Sequence, residues 1–345
     1  MHYRLFVVLL FCFLLIANNY KKSNLFQIAI VLLVVFAGVR DPFIYPDIEE
    51  YLIYFKTEEF SNGSTESVNI GYNFLSKVVY TLTGNFYFFS ILVTCIIVFL
   101  YAWFISKFSP NKNISVFIYV LTLYFSSFFL LRQCLAMAFS LIAFNYVIER
   151  KLNLFLFWVL VAVSFHTSAV VILPVYYVYI IPWNRRTIFC LIIGSIVAII
   201  GLKTMAQYIL MFSTYYSAGY LDSDYQASYS RIAMKIVYMI VLLYSLGSEF
   251  KNKNIGYFVF ICCLFEVVLY LGTAAAGIEG VYRIRLYFDI GEIIGLPFLW
   301  VYSSKYHQRK KLTIRFITIS YVLLQCLSCD TFVNTLFERG YKTFF

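Results

Sequence analysis

Residues 86–106 read FYFFSILVTCIIVFLYAWFIS, a run without one charged side chain, closed by Asn85 before it and Lys107 after it. A bilayer's hydrocarbon core takes about 20 apolar residues of helix, and only a helix or a closed barrel satisfies its own backbone there. This stretch therefore reads as a spanning helix. Similar runs extend on both sides of it, over 2–18, 25–39, 114–131, 133–148, 152–165, 168–182, 187–202, 232–247, 255–272, 286–303 and 312–328. The expectation is an all-α polytopic membrane protein of about twelve crossings, forming one integral domain over 1–345. Residues 2–18 lack a small-residue cleavage site after them and read as a retained first helix.

Composition agrees. The 345 residues are 62% hydrophobic, 21% aromatic and only 13% charged, against about 25% charged in a soluble domain. That excludes a water-soluble enzyme, a nucleic-acid-binding domain and a disordered chain. The net charge of +10 comes from basic residues set in short pairs between apolar runs. Lys21-Lys22, Lys107 to Lys112, Arg150-Lys151, Arg185-Arg186, Lys251 to Lys253 and Lys305 to Lys311 all fall on one side if every run crosses once. That side holds just over half of the 27 Lys and Arg against two acids, Glu149 and Glu249, so it is read as cytoplasmic. Both termini then face outward.

The stretch 152–182 lies between two cytoplasmic flanks and must cross an even number of times. Some thirty residues at 1.5 Å each give roughly 45 Å, too short for two full spans. Two short helices meeting at Phe165-His166-Thr167 satisfy the count, with the apex shielded inside protein and open to the outer face. Two outer loops are expected, 40–85 with Asp41, Asp47, Glu49, Glu50, Glu58, Glu59 and Glu66, and 203–231 with Tyr215, Tyr216, Tyr220, Tyr225 and Tyr229. Carboxylates interleaved with aromatics suit hydrogen bonding and stacking to sugars. The eight cysteines give no zinc pattern: Cys326 and Cys329 have no second pair, and six others lie in apolar runs.

Ionisable groups at membrane depth are functional candidates. Arg132 opens the segment Leu131-Arg132-Gln133-Cys134-Leu135-Ala136 with no acid close in sequence, and its fork fits a phosphate or carboxylate with paired donors. An arginine snorkelling to the interface is the bland alternative. His166, at the hairpin apex, could take a proton from a hydroxyl. A hydrogen-bonded structural histidine is the competing reading. Arg285, Asp289 and Glu292 are spaced to share a helix face and neutralise one another, which leaves Arg283 as the better anion ligand. Glu266 reads as one member of a structural hydrogen bond or interhelical ion pair. Unbroken helices and charges gathered on the outer half suit an anionic lipid headgroup with a hydroxyl-rich cargo. No phosphate-binding loop, metal cluster or serine nucleophile motif is present.

Gly38-Val39-Arg40, Asp47, Tyr51 and Gly71-Tyr72-Asn73-Phe74 resemble the opening of the EpsG-type polysaccharide polymerases, which are similar to the Wzy-type O-antigen polymerases. Arg-Gln-x-Leu-Ala at 132–136, Phe-His-x-Ser-Ala at 165–169 and Arg283 four residues before Tyr287-Phe288 continue the pattern. Asn69-Ile70 depart from it, standing before Gly71 where the family often has an acid. The resemblance implies a glycosyltransferase of the bacterial cytoplasmic membrane, facing the outer, periplasmic side. It would transfer a growing glycan on undecaprenyl diphosphate onto a lipid-linked repeat unit, for O-antigen, capsule or exopolysaccharide. His166 and Asp47 are the catalytic candidates, Arg132, Arg283 and Arg40 are expected to hold diphosphate, and Tyr51, Gln133 and Tyr72 to contact glycan. No metal or cofactor is expected. The partners would be the lipid-linked oligosaccharide, the bilayer, a chain-length regulator and a flippase. A lipid-linked oligosaccharide flippase and a membrane acyltransferase modifying a surface glycan are the alternatives.

Overall fold

Asn85 starts the helix that opened the sequence reading: its side chain accepts from the backbone N–H of Tyr87 at 2.9 Å and of Phe88 at 3.3 Å. Two donors that the first turn of a helix leaves orphaned are thereby satisfied. Asn111 does the same for the next helix through Ile114 N–H at 3.2 Å. A computed structural model describes residues 23–38, 46–56, 69–212, 229–246, 255–276 and 283–337, with a few helical positions between 7 and 14. The described residues contain no strand. Their helices are α1 (Ser23–Gly38), α2 (Pro46–Lys56), α3 (Ile70–Thr83), α4 (Phe86–Phe108), α5 (Lys112–Thr122), α6 (Leu131–Ile148) and α7 (Leu152–Phe165). There follow α8 (Leu173–Ile180), α9 (Arg185–Phe212), α10 (Tyr229–Leu246), α11 (Ile255–Ala276), α12 (Ile290–Tyr302) and α13 (Gln308–Phe337).

The protein is an all-α polytopic membrane protein. Among the described residues, five helices are long and apolar enough to cross a membrane: Phe86–Phe108, Leu131–Ile148, Tyr229–Leu246, Ile255–Ala274 and Gln308–Cys329. Leu25–Gly38, Lys112–Thr122, Leu152–Phe165 and Thr167–Ile180 are shorter apolar pieces. α6 and α11 form the centre of the bundle; α6 packs on α4 and α7, and α11 on α9, α10 and α12. Outer helices show their lipid faces. On α13, Leu312, Phe316, Ile319, Leu323 and Leu327 are exposed in one stripe, while Ile314, Thr318 and Tyr321 on the opposite stripe are buried. A stripe of that size in contact with water would be an aggregation surface, and against acyl chains it costs nothing.

The short hairpin is present. α7 ends at Phe165, a 3₁₀ turn covers Thr167–Ile172, and α8 continues to Ile180. At 1.5 Å per α and about 2.0 Å per 3₁₀ residue each arm is roughly 21–24 Å long, short of the ~30 Å hydrocarbon core. Tyr176 Oη, near the end of the hairpin, donates to the carbonyl of Arg150, at its start, at 3.0 Å. The chain thus goes out and returns to the level it left. Arg150 turns α6 into α7 with a left-handed φ of 59°.

Several expectations are corrected. The stretch 40–85, read as a loop, carries α2 and α3, and α9 runs on to Phe212, which shortens the loop read at 203–231. The run 286–303 is a 3₁₀ turn, Arg285–Phe288, followed by the 13-residue α12 with Pro297 inside it, so Arg285 and Glu292 do not share one helix face.

Candidate functional site at the hairpin apex

Gly71 brings α3 against the hairpin. A Cβ there would lie 2.3 Å from Ser164 Oγ, so only glycine lets α3 approach α7 this closely. The next residue, Tyr72, is buried, and its ring lies 5.8 Å from that of Tyr51 on α2 and 5.5 Å from Phe89 on α4. The Arg132 guanidinium rests over both tyrosines, 5.0 Å from the Tyr51 ring and 6.0 Å from the Tyr72 ring. Cation–π contact keeps the fork extended and half-desolvated. Tyr72 Oη is buried with no hydrogen-bond partner among the described residues.

Gln133, the neighbour of Arg132, is buried, and its Nε2 donates to the carbonyl of Arg283 at 2.8 Å. It therefore works on the approach of the 283–288 segment to α6, rather than standing open to a ligand through that amide nitrogen. Arg132 and Arg283 both lie near enough to act electrostatically on the His166 ring. His166 Nδ1 is 2.6 Å from Ser168 Oγ and accepts from Ser168 N–H at 3.3 Å, capping the 3₁₀ turn. Ser168 Oγ is in turn 3.0 Å from Tyr287 Oη. An acceptor at Nδ1 puts the proton of the neutral ring on Nε2. The order is then Tyr287 hydroxyl to Ser168 hydroxyl to His166 Nδ1.

The structure brings together Arg132, His166, Arg283, Tyr51, Tyr72 and Gln133 from five separate elements. Asp47 lies in α2 with its side chain outside the description, and Arg40 lies outside the described residues. Ser168 and Tyr287 were missed as functional residues in the sequence, although both stand inside the quoted motifs. A hydroxyl two residues after a histidine at a helix break is a capping signal that could have pointed to Ser168.

A second cluster lies behind Arg283. Lys235 on α10 pairs with Glu266 at 2.5 Å and with Glu292; Arg285 pairs with Glu266 at 3.2 Å and Asp289 at 3.0 Å. Tyr321 and, at 2.8 Å, Gln325 donate to Glu292 from α13. Glu266 is thus the interhelical ion pair expected. Glu292 is neutralised by Lys235 rather than Arg285, a partner far away in sequence. Among the described residues, no group of three or more His, Cys, Asp or Glu could hold a metal ion.

The sequence pattern of the EpsG family matches residues 23–334, nearly the whole chain. The chain belongs to the EpsG family. As a member of the EpsG family it is a membrane polysaccharide polymerase. Comparison with curated proteins and with solved structures returned no match. Within the EpsG-family chain, Gly71 lies against Ser164, Tyr72 against Arg132, Gln133 against the Arg283 carbonyl and Ser168 against Tyr287.

Proposed function

We propose that the polymerase takes a glycan carried on undecaprenyl diphosphate and transfers it to a lipid-linked repeat unit at the outer face of the cytoplasmic membrane. The product would be an O-antigen, capsule or exopolysaccharide. The observation that carries the reading is that Gln133, beside Arg132, holds the Arg283 carbonyl while Ser168 joins His166 to Tyr287, at the apex of a hairpin whose two ends lie at the opposite end of α6. The basic pairs of the sequence assign those ends to the cytoplasm and the apex to the outer half.

The chemistry follows from the donor. A hydroxyl of the acceptor sugar attacks the anomeric carbon, the bond from that carbon to the phosphate oxygen breaks, and undecaprenyl diphosphate departs. Charge builds on the departing oxygen, and the two arginine forks stabilise it with paired hydrogen bonds. The departing group is a weak base and needs no general acid. The attacking hydroxyl does need a base, and His166 is placed to supply it through Ser168: the incoming proton goes to Ser168 Oγ as the Ser168 proton moves to Nδ1. Asp47 is the competing base, a carboxylate on a helix whose Tyr51 already touches Arg132.

The same arginines could hold phosphate in a flippase, and a membrane histidine could serve an acyltransferase. A strain lacking this chain separates the three. Single repeat units left on the lipid at the outer face support polymerisation; none outside supports a flippase; unchanged polymer length supports an acyltransferase.

A further inference from the structure

Five buried ionisable side chains meet behind Arg283: Lys235 on α10, Glu266 on α11, Arg285 and Asp289 at the 3₁₀ turn, and Glu292 on α12. All are 7% exposed or less. Three carboxyls thus face two cations. A lone charge taken out of water is costly, so a cluster this deep has to balance its charge among its own members. As three carboxylates it carries one negative charge too many. Arg231 and Arg283 line the cavity that reaches Asp289, yet neither is ion-paired with any of the three carboxyls. The other titratable neighbours are phenols and thiols: Tyr101 on α4, Tyr238 on α10, Cys262, Cys263 and Tyr270 on α11, and Tyr321 on α13. With ordinary values of about 10 and about 8.5, these are neutral at pH 7.

Hydrogen bonds single out one carboxyl. Glu292 accepts from Lys235 and Tyr321 at Oε1 and from Gln325 at Oε2, so both of its oxygens are satisfied as a carboxylate. Asp289 Oδ1 accepts from Arg285 Nη1 at 3.0 Å, and the same nitrogen reaches Glu266 Oε1 at 3.2 Å. Lys235 lies 2.5 Å from that same Glu266 Oε1. Both cations therefore sit on one oxygen of Glu266. Its Oε2 is buried with no hydrogen-bond partner, although the Asp289 carboxyl lies within hydrogen-bonding reach of Glu266. Two carboxylates cannot bond to each other, because neither has a donor. One proton between them makes an O–H···O bond, occupies the bare oxygen and leaves two negative charges for two positive ones.

We propose that this cluster binds one proton at neutral pH, carried on Glu266 Oε2 and shared with Asp289. The site lies outside the transfer chemistry, and the inference does not rest on it. What the proton supplies is neutral ground behind Arg283. Asp289 lines the same cavity as Arg283, and an unbalanced negative charge there would work against any anion that Arg283 holds.

The proton itself is the probe. Infrared spectra of the purified full-length protein at pH 7 report a neutral carboxyl by its C=O stretch, which a carboxylate lacks. The wild type should show such a band and Glu266→Gln should lose it; identical spectra in that region would overturn the proposal. An amide has the shape of a protonated carboxyl, with N–H in the place of O–H, so Glu266→Gln should reach the membrane in wild-type amount. Its absence from the membrane would mean that Glu266 works as a carboxylate, and would overturn the proposal too. Charge counting gives a second arm. Glu266→Gln and Glu292→Gln each leave two carboxylates for two cations, whereas the double variant leaves one for two and should fall roughly tenfold below either single in the membrane. An amount equal to the singles would contradict the count. A melting temperature that rises with sodium or potassium, relative to choline, in the wild type and not in Glu266→Gln would put a metal cation at Oε2 and overturn the proton.

Discussion

His166 Nδ1 is held by Ser168 from two directions, through the amide N–H and the hydroxyl, and that arrangement decides how the histidine can act. A base reached through a serine hydroxyl depends on that serine. Ser168→Ala should lower the polymerisation rate nearly as far as His166→Ala, within the ~10²–10⁴-fold range of general-base contributions, and Tyr287→Phe should cost less. Rates on purified lipid-linked repeat units decide; a His166→Ala protein of near-normal rate would leave His166 as a cap and pass the base role to Asp47. The buried cations separate in a different assay. Arg285→Ala leaves Asp289 buried without its ion-pair partner and Glu266 with Lys235 alone, a loss of roughly 3–5 kcal/mol, so the protein should fall in amount in the membrane. Arg132 stands out in the sequence because no acid lies near it, and Arg283 because Arg285, not Arg283, is spaced to meet Asp289 and Glu292. Lys235 does not, because its two partners come from α11 and α12, and a lysine on a helix face says nothing of what another helix brings to it.

The elements were read well where a run of apolar residues is bounded by charges, as at α4, α6 and the 152–182 hairpin, since lipid enforces both helix and length. They were read poorly over 40–85, where α2 and α3 lie in a stretch rich in charge and hydroxyls. Gly71 carries one consequence of that region. Gly71→Ala places a Cβ 2.3 Å from Ser164 Oγ and should push α3, with Tyr72, off the hairpin. Polymer should shorten or fail, and Ser164→Gly in the same chain should restore part of it; additive loss in the double variant would mean the two residues are not coupled. The turn at the other end of α6 responds to acid. Lys151 and Lys107 hold the Glu149 carboxyl down to about 2 from its ordinary range near 4.5. Its folded value is depressed, so the stabilisation is full above about 4.5 and fades as pH falls towards 2. Thermal melting of purified protein between pH 6 and pH 3 should drop less in Glu149→Gln than in the parent, and identical slopes would deny the contribution.

Over the whole molecule, charge asymmetry, the out-and-back hairpin and the convergence of motifs at its apex point the same way. One end of α6, which we propose faces the cytoplasm, carries Lys107, Glu149 and Lys151, and the opposite end carries Arg132, His166 and Arg283. Impermeant thiol labelling of intact cells should therefore reach a cysteine placed at residue 62 and not one at residue 110; the reverse pattern would invert the orientation. The central claim is that these two arginines hold the diphosphate of a lipid-linked glycan while it is transferred. It is tested most directly by reconstituting the purified chain with undecaprenyl-diphosphate-linked repeat units and following the length of the glycan made. The account predicts a ladder of polymer from the wild type. It predicts almost none from Arg132→Lys and Arg283→Lys, which keep the charge, lose the fork and stay in the membrane at normal level. Full-length polymer from both variants, or no ladder from the wild type, would contradict it.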